Sequence, residues 1–292
     1  MSSHRWSEFI AWGRPARRPW YDPGQMAHAS APIGMFDSGA GGLAVLAEVH
    51  RRLPGEDITY CADSAYFPYG PRRPDEVRAR SSRVTRELVA LGAKLVVVAC
   101  NTATSAAIDH LRAEFDVSFV GMEPALKPAV SATLRGRVAL LVTPGTARGD
   151  KLAALIDRYG IEVTVDTIEA PGLAELVEAG AIDGEEARTI VRRHLERLHV
   201  GGADVLALGC THYAFLRGVI EEEAGEGVLV IEPSEAVARQ VARMLDERGL
   251  RNPRTEGGRV RYLTSGDSSA FAETRRRLRC AGAVIPEDTD GD

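Results

Sequence analysis

The chain has 292 residues, of which 45% are hydrophobic and 26% are charged, and its formal net charge is -5. This composition is that of a globular protein with one large or two medium domains, and no apolar run approaches the roughly 18 residues that span a bilayer. The mild acidity does not favour a nucleic-acid binder, and four cysteines are too few for a disulfide scaffold, so membrane, fibrous, disulfide-rich and disordered classes are excluded.

The first 31 residues differ in composition from the rest of the chain. They hold all three tryptophans, four arginines and three prolines, without sustained periodicity. They contain no apolar segment of about 7 to 15 residues such as a signal peptide requires. We interpret residues 1–31 as a flexible N-terminal extension, or as a leader added by an upstream start codon with Met26 as the true start. We expect a cytoplasmic protein.

From Ile33 onward, short apolar runs alternate with longer stretches of helical spacing. The runs predict strands at Ile33–Phe36, Ile58–Cys61, Leu95–Cys100, Ser118–Met122, Val138–Val142, Glu162–Ile168, Val205–Leu208 and Val228–Ile231. The longer stretches predict helices at Pro74–Leu91, Thr102–Phe115, Lys151–Tyr159, Glu185–Leu198 and Glu235–Arg248. This alternation predicts an α/β fold with parallel sheets flanked by helices. In such folds ligands bind at the carboxyl ends of the strands.

An internal repeat indicates two similar halves. Residues 93–102 align without gaps on residues 203–212, at an offset of 110 residues, and residues 36–39 fall near residues 142–145 at a similar offset. A repeat of this length is a whole domain. We therefore predict two doubly wound parallel-sheet domains related by a pseudo-two-fold, with the active site in the cleft between them. The first domain spans residues 32–122, the second spans 123–232, and residues 233–292 return to the first.

Each half supplies one cysteine, Cys100 or Cys210, at the end of a predicted strand and before a polar residue that opens a helix. Backbone N–H groups and the helix dipole favour negative charge there, so we expect a lowered thiol pKa. Either cysteine alone would usually be a buried structural residue, but the duplicated context argues against that. A pseudo-two-fold would place the two sulfurs on opposite sides of one ligand. One thiolate could then remove a proton from carbon while the opposite thiol returns one, which predicts racemisation or epimerisation.

A glycine-rich segment favours a different class of enzyme. Residues 39–44, Gly-Ala-Gly-Gly-Leu-Ala, match a dinucleotide-binding loop, and Asp63 stands where a ribose-binding acid is expected. A nicotinamide-dependent oxidoreductase is therefore an alternative. Against it, Asp37 and Ser38 would project into the path of the pyrophosphate, and the duplicated cysteines would have no role. No cysteine or histidine spacing indicates a metal site, so we predict neither metal nor cofactor.

Four motifs, in this order, together resemble the glutamate racemases of the aspartate/glutamate racemase superfamily. They are Asp37-Ser38-Gly39-x-Gly41-Gly42, Asp63 with Pro68-Tyr69-Gly70, Cys100-Asn101-Thr102-Ala103 and Gly209-Cys210-Thr211-His212-Tyr213. The resemblance runs from Ile33 to about Gly266. It implies a cofactor-independent isomerase that interconverts L- and D-glutamate and supplies D-glutamate for peptidoglycan and cell-wall biogenesis.

The resemblance also implies roles for individual residues. Cys100 and Cys210 would be the acid/base thiols, with Asp37 assisting near Cys100 and with Glu175 and His212 assisting near Cys210. The amino and carboxylate groups of the substrate would be bound by Asp37, Ser38, Tyr69, Gly70, Asn101, Thr102, Thr143, Thr146, Thr211 and His212. The only partner implied is glutamate, without nucleic acid or membrane, and the chain is a possible homodimer because family members are often dimers.

Five positions depart from the usual pattern of the glutamate racemases. They lie around the expected pocket wall and not at the cysteine pair: Val142, Gly149, Leu152, Ala170 and Ala214. A racemase of another small acidic amino acid, such as aspartate, is therefore the nearest alternative. A binding protein that has lost turnover is a third.

Overall fold

The computed structural model describes residues 28–289, so most of the predicted N-terminal extension lies outside the described residues. The strands of this part are β1 (Ile33–Asp37), β2 (Ile58–Ala62), β3 (Leu95–Val98), β4 (Ser118–Gly121), β5 (Arg137–Val142), β6 (Thr164–Glu169), β7 (Val205–Gly209), β8 (Leu229–Ile231) and β9 (Val260–Thr264). The α-helices are α1 (Leu43–Arg52), α2 (Pro74–Ala90), α3 (Asn101–Glu114), α4 (Leu126–Ala132), α5 (Pro144–Ala147), α6 (Asp150–Tyr159), α7 (Leu173–Glu178), α8 (Gly184–Gly201), α9 (Arg217–Ala224), α10 (Ser234–Glu247) and α11 (Ser268–Cys280).

The strands form two sheets in which every pairing is parallel. The first sheet has the order β4-β3-β1-β2-β9 and the second has the order β6-β5-β7-β8. Read from its other edge, the second sheet is β8-β7-β5-β6, which repeats β4-β3-β1-β2. The predicted fold of two similar, doubly wound parallel sheets is thus confirmed.

The central strands are apolar because helices cover both faces of each sheet. All four residues of β3 are buried, as are all five of β7. Helix α2 begins with a proline, which suits the first helical turn, and has Asp75 and Glu76 near its positive end. It packs against the first sheet with a buried face that includes Arg80.

The last part of the chain returns to the first sheet. Helix α10 packs against α1, and β9 pairs with β2 at the sheet edge. Strand β9 is the one strand of the described residues that the sequence analysis does not predict. The domain boundaries at residues 122 and 232 stay a prediction. Between residues 28 and 289 the structure has no helix with the length and apolar character that membrane crossing needs.

Candidate active site

The two predicted thiols lie at equivalent places in the two sheets. Cys100 follows β3 beside the end of β1, and Cys210 follows β7 beside the end of β5. These neighbouring strand ends are where each sheet reverses its winding, which is where doubly wound folds bind ligands. One cavity of about 130 Å³ is lined by both cysteines. The fold therefore brings one sulfur from each half to a single small space.

Cys210 has an imidazole and a carboxylate behind it. Its Sγ lies 3.8 Å from Nδ1 of His212, and Nε2 of His212 lies 2.9 Å from Oε1 of Glu178. Burial lowers the pKa of His212, but the hydrogen bonds to Cys210 and Glu178 outweigh it and raise that pKa well above its ordinary value. The raised pKa favours the protonated ring, whose two nitrogens face the Cys210 sulfur and the Glu178 carboxylate.

Cys100 has a carboxylate neighbour instead. It is the N-cap residue of α3, its Sγ accepts a hydrogen bond from the Ala103 N–H at 3.5 Å, and its thiol also bonds to Asp37. Burial raises the pKa of Cys100 well above its ordinary value, and the charge of Asp37 raises it further. The expected lowering of the thiol pKa by the helix end is therefore wrong for Cys100, because desolvation and a nearby negative charge outweigh the helix.

Asp37 is itself an unusual carboxyl group. Burial raises its pKa, although His212 and the hydroxyls of Thr211 and Ser38 oppose that shift. The Thr211 hydroxyl donates to Oδ2 of Asp37 at 2.9 Å, and the Ser38 hydroxyl donates to Oδ1 at 3.0 Å. The bond from Thr211 crosses from the second half to the first, so it joins the surroundings of the two cysteines.

The glycine-rich loop after β1 faces the second half of the molecule. The N–H of Ala40 donates to Oε1 of Glu178 at 2.5 Å, and the N–H of Gly41 lies 3.2 Å from Nε2 of His212. A Cβ at Gly39 would stand 2.0 Å from Glu178 Oε1. The Ala40 amide is occupied and the loop is tightly covered, which leaves no path for a pyrophosphate. This geometry does not favour the nicotinamide alternative.

The carboxylate that contacts His212 is not that of Glu175, the residue expected to assist near Cys210. Glu178, at the end of α7, contacts His212, whereas Glu175 is exposed at the cavity mouth. The two glutamates lie three residues apart and so occupy successive turns of one helix. Only Glu178 contacts the imidazole, which makes it a better candidate than Glu175 for the assisting role; the role of Glu175 stays a prediction.

Polar groups line the rest of the cavity. The hydroxyls of Thr102 and Thr143 lie 2.9 Å apart across the cleft, and Thr143 donates to Thr146 at 3.0 Å. The Asn101 side chain is buried, yet neither its amide nitrogen nor its oxygen has a hydrogen-bond partner. Buried amides are normally satisfied, so Asn101 has donor and acceptor capacity left for a ligand.

Most residues with a predicted role line this cavity. Those that do are Ser38, Tyr69, Gly70, Cys100, Asn101, Thr102, Thr143, Glu175, Cys210, Thr211 and His212. Asp37 and Thr146 do not line it, but each bonds to a residue that does. Of the five positions that depart from the family pattern, Ala170 alone lines the cavity.

The size of the cavity limits what it can hold. At about 130 Å³ it is well below the roughly 300–1,000 Å³ typical of pockets for drug-sized ligands. A larger cavity of about 320 Å³ lies between α3 and α6, but neither reactive cysteine lines it. Within residues 28–289 no group of three or more His, Cys, Asp or Glu side chains is arranged to hold a metal ion.

Comparisons with known proteins agree with this geometry. Residues 33–241 match the model of a family described as Asp/Glu/Hydantoin racemase. A glutamate racemase of Herpetosiphon aurantiacus is 48% identical over 247 residues, which is 85% of this chain and 97% of that protein. The crystal structure of glutamate racemase isoform RacE1 from Bacillus anthracis has 31% identity and a TM-score of 0.81, covering 88% of this chain and 96% of that one. The glutamate racemase of Francisella tularensis, solved with D-glutamate, has 25% identity and a TM-score of 0.75, covering 86% and 94%.

Proposed function

Because the chain belongs to the Asp/Glu/Hydantoin racemase family, we propose that it is a cofactor-independent glutamate racemase that interconverts L- and D-glutamate. The observation that carries the proposal is one small cavity lined by Cys100 from the first half and Cys210 from the second. Relatives that share 48% and 46% of their residues with this chain are glutamate racemases, which supports glutamate as the substrate.

The proposed reaction moves two protons and needs no other reagent. The proposal assigns the starting thiolate to Cys210, whose sulfur faces the His212 ring, and the starting thiol to Cys100, whose pKa is raised by burial and by Asp37. The Cys210 thiolate takes the proton from the α-carbon, and the electron pair of the broken C–H bond remains on the substrate. The Cys100 thiol then gives its proton to the opposite face of that carbon. The product is the other enantiomer, and the two sulfurs have exchanged protonation states.

Neutral donors around the cavity suit a substrate that becomes a carbanion. The Asn101 amide and the hydroxyls of Thr102, Thr143 and Thr146 can bind the amino and carboxylate groups of glutamate. The dipoles of the three threonine hydroxyls are fixed by bonds within the protein, so they need little reorganisation as charge develops. In this proposal Ser38, Tyr69, Gly70 and Thr211 complete the substrate-binding wall.

The proposal also covers the setting of the enzyme. It acts in the cytoplasm on free glutamate and supplies the D-enantiomer for peptidoglycan, without nucleic acid or membrane as a partner. A homodimer is part of the proposal, and light scattering tests it by the mass of the particle in solution.

The function is tested by incubating the purified protein with L-glutamate in deuterated water without added cofactor. We expect D-glutamate that carries deuterium at the α-carbon, because the returning proton comes from a thiol that exchanges with solvent. L-Aspartate is run in parallel. Faster turnover of aspartate would keep the mechanism and replace the substrate, whereas no exchange with either amino acid would contradict the proposal.

A further inference from the structure

A buried ion pair lies directly behind one wall of the cavity. Asp63 follows β2 and is fully buried, and Arg80 comes from the buried face of α2. The Arg80 Nε donates to Oδ2 of Asp63 at 3.0 Å and its Nη2 donates to Oδ1 at 2.6 Å. Two parallel bonds of this kind fix the orientation of a carboxylate as well as its position.

The same carboxylate also holds a residue of the cavity wall. The Tyr69 hydroxyl donates to Oδ2 of Asp63 at 2.5 Å, and Tyr69 is 1% exposed. Tyr69 is also one of the residues that line the cavity. The next residue, Gly70, lies against Thr143 of the second half, and its carbonyl oxygen accepts a bond from Arg148 at 3.3 Å. The segment thus connects the Asp63 anchor to the threonine cluster across the cleft.

The guanidinium of Arg80 is itself held from a second direction. Its Cζ stands 3.5 Å from the ring centroid of Tyr66, and the Arg80 side chain is 9% exposed. A buried ion pair is often no more stable than apolar residues of the same volume. Its value here therefore lies in the geometry that it imposes on the adjoining wall.

We infer that Arg80 is a positioning residue for substrate binding, which acts through Asp63 on Tyr69 and Gly70. Arg80 does not line the cavity, so the proposal gives it no part in proton transfer. Without the guanidinium, Asp63 would be a buried carboxylate with a tyrosine hydroxyl as its remaining side-chain partner. It would then turn or take up a proton, and Tyr69 would lose its fixed acceptor. The inference rests on the proposed racemase function.

The first test compares Arg80→Met with the parent chain in racemisation of both glutamate enantiomers. We expect KM to rise about tenfold in both directions, the effect of one misplaced hydrogen bond, with kcat changed less than about threefold. Arg86→Met is the matched control, because Arg86 lies on the same helix with an exposed ion pair to Glu114. It should leave both constants unchanged. An unchanged KM in Arg80→Met would overturn the inference.

The second test asks whether the effect passes through Tyr69. Tyr69→Phe should raise KM by a similar factor, and Arg80→Met added to it should raise KM no further. Effects that multiply in the double variant would show that Arg80 acts by another route, which overturns the inference. A merely structural role would lower the melting temperature of Arg80→Met without this coupling in KM.

A conservative variant keeps the inference testable if the first variant does not fold. If Arg80→Met does not fold, Arg80→Lys keeps the charge but loses the second parallel bond, and it should raise KM to an intermediate value. If Arg80→Lys folds and its KM equals the parental value, the second parallel bond is not needed and the inference is overturned. Racemisation by the parent chain is measured first. A parent chain that does not turn over glutamate would contradict the proposed function, not the role of Arg80.

Discussion

At the level of single residues, the two cysteines have different partners although their positions in the two sheets correspond. His212 lies 3.8 Å from the Cys210 sulfur, whereas Cys100 bonds to Asp37. In the proposed two-base reaction one sulfur starts as a thiolate and the other as a thiol. We infer that the different partners of the two cysteines serve this reaction, in which each sulfur must be present for inversion at carbon.

We expect Cys100→Ser and Cys210→Ser each to lower kcat for racemisation by about 10²–10⁴-fold, the usual contribution of a positioned acid or base. A serine hydroxyl is too weakly acidic to replace either thiol. The dissociation constant for glutamate, measured by calorimetry, should stay within about threefold of the parent value because the binding groups remain. Near-parental turnover in either variant would contradict the two-thiol mechanism.

The two glutamates of α7 give a matched pair of variants. Glu178→Gln removes the negative charge beside His212, so the imidazolium loses its partner and kcat should fall about 10²-fold. Glu175→Gln, an exposed change three residues away, should leave kcat within about threefold of the parent. Both are measured under saturating glutamate. Equal losses in the two variants, or a greater loss at Glu175, would show that the contact with His212 has no catalytic consequence.

At the level of secondary-structure elements, the loop between β1 and α1 has a role that its sequence pattern does not indicate. It matches a dinucleotide loop, yet Ala40 and Gly41 direct their N–H groups at Glu178 and His212 of the other half. The close approach of the loop backbone to the side chains of Glu178, Thr211 and His212 requires small residues, just as a bound pyrophosphate does. The glycine pattern is therefore a consequence of packing across the cleft.

Gly41→Ala tests this packing. A Cβ at residue 41 would stand 2.2 Å from His212 Nδ1 and 2.5 Å from Thr211 Oγ1, so the ring must move. We expect kcat/KM for glutamate to fall at least about 10²-fold, as a displacement of about 1 Å can cause. Gly218→Ala on α9 is the control, since its Cβ would meet nothing within 4 Å. If Gly41→Ala keeps more than half of the parental kcat/KM, the close approach is not needed for catalysis.

The elements differ in how far the sequence predicts them. The central strands β1, β3, β5 and β7 are evident because helices bury both of their faces, so each reads as an apolar run. Strand β9 lies at a sheet edge and alternates buried Val260, Tyr262 and Thr264 with partly exposed Arg261 and Leu263. That alternation in a short polar segment gives no apolar run. Strand β9 is therefore recognised only from the structure, whereas the sequence predicts the other edge strands, β4, β6 and β8.

The residues of the candidate site likewise divide into those that the sequence predicts and those that only the structure shows. Residues directly after strands were predictable, because the carboxyl ends of parallel strands converge at one edge of a sheet. Glu178 lies at the end of a helix, and no strand end marks it as different from Glu175. Arg80 meets Asp63 from 17 residues away without any motif that joins them. Contacts made by helix side chains depend on packing between elements, which a single sequence does not encode as a pattern.

At the level of the whole molecule, the two halves supply unequal parts to one site. The repeat predicts their similar sheets, and the strand orders show that similarity. The bonds that join the halves are specific to each side: Thr211 to Asp37, Ala40 to Glu178, and Thr102 to Thr143. Duplication thus accounts for the positions of the sulfurs, and the asymmetric contacts between the halves account for their different chemistry.

The opposite end of the first sheet has a second buried ion pair, which we expect to serve stability alone. Lys94 precedes β3, and its Nζ contacts Glu56, with side chains 0% and 2% exposed. Glu56 also accepts a bond from the Asn252 N–H at 2.7 Å, so it fastens the returning C-terminal segment. Lys94→Met would leave this carboxylate buried without its cation, at a cost of about 3–5 kcal/mol in the free energy of unfolding.

That cost corresponds to a melting temperature lower by roughly 6–20 °C, measured by circular dichroism or calorimetry. Because the pair lies at the amino ends of the strands, away from the cleft, kcat and KM of the folded variant should remain parental. Lys127→Met, an exposed change on α4, should alter stability by no more than about 0.5 kcal/mol. Adding Glu56→Gln to Lys94→Met removes the unpaired buried carboxylate and should recover part of the lost free energy of unfolding. A loss below about 1 kcal/mol in Lys94→Met would show that Glu56 does not depend on the lysine, and that the remaining bonds suffice to hold the C-terminal segment on the first sheet.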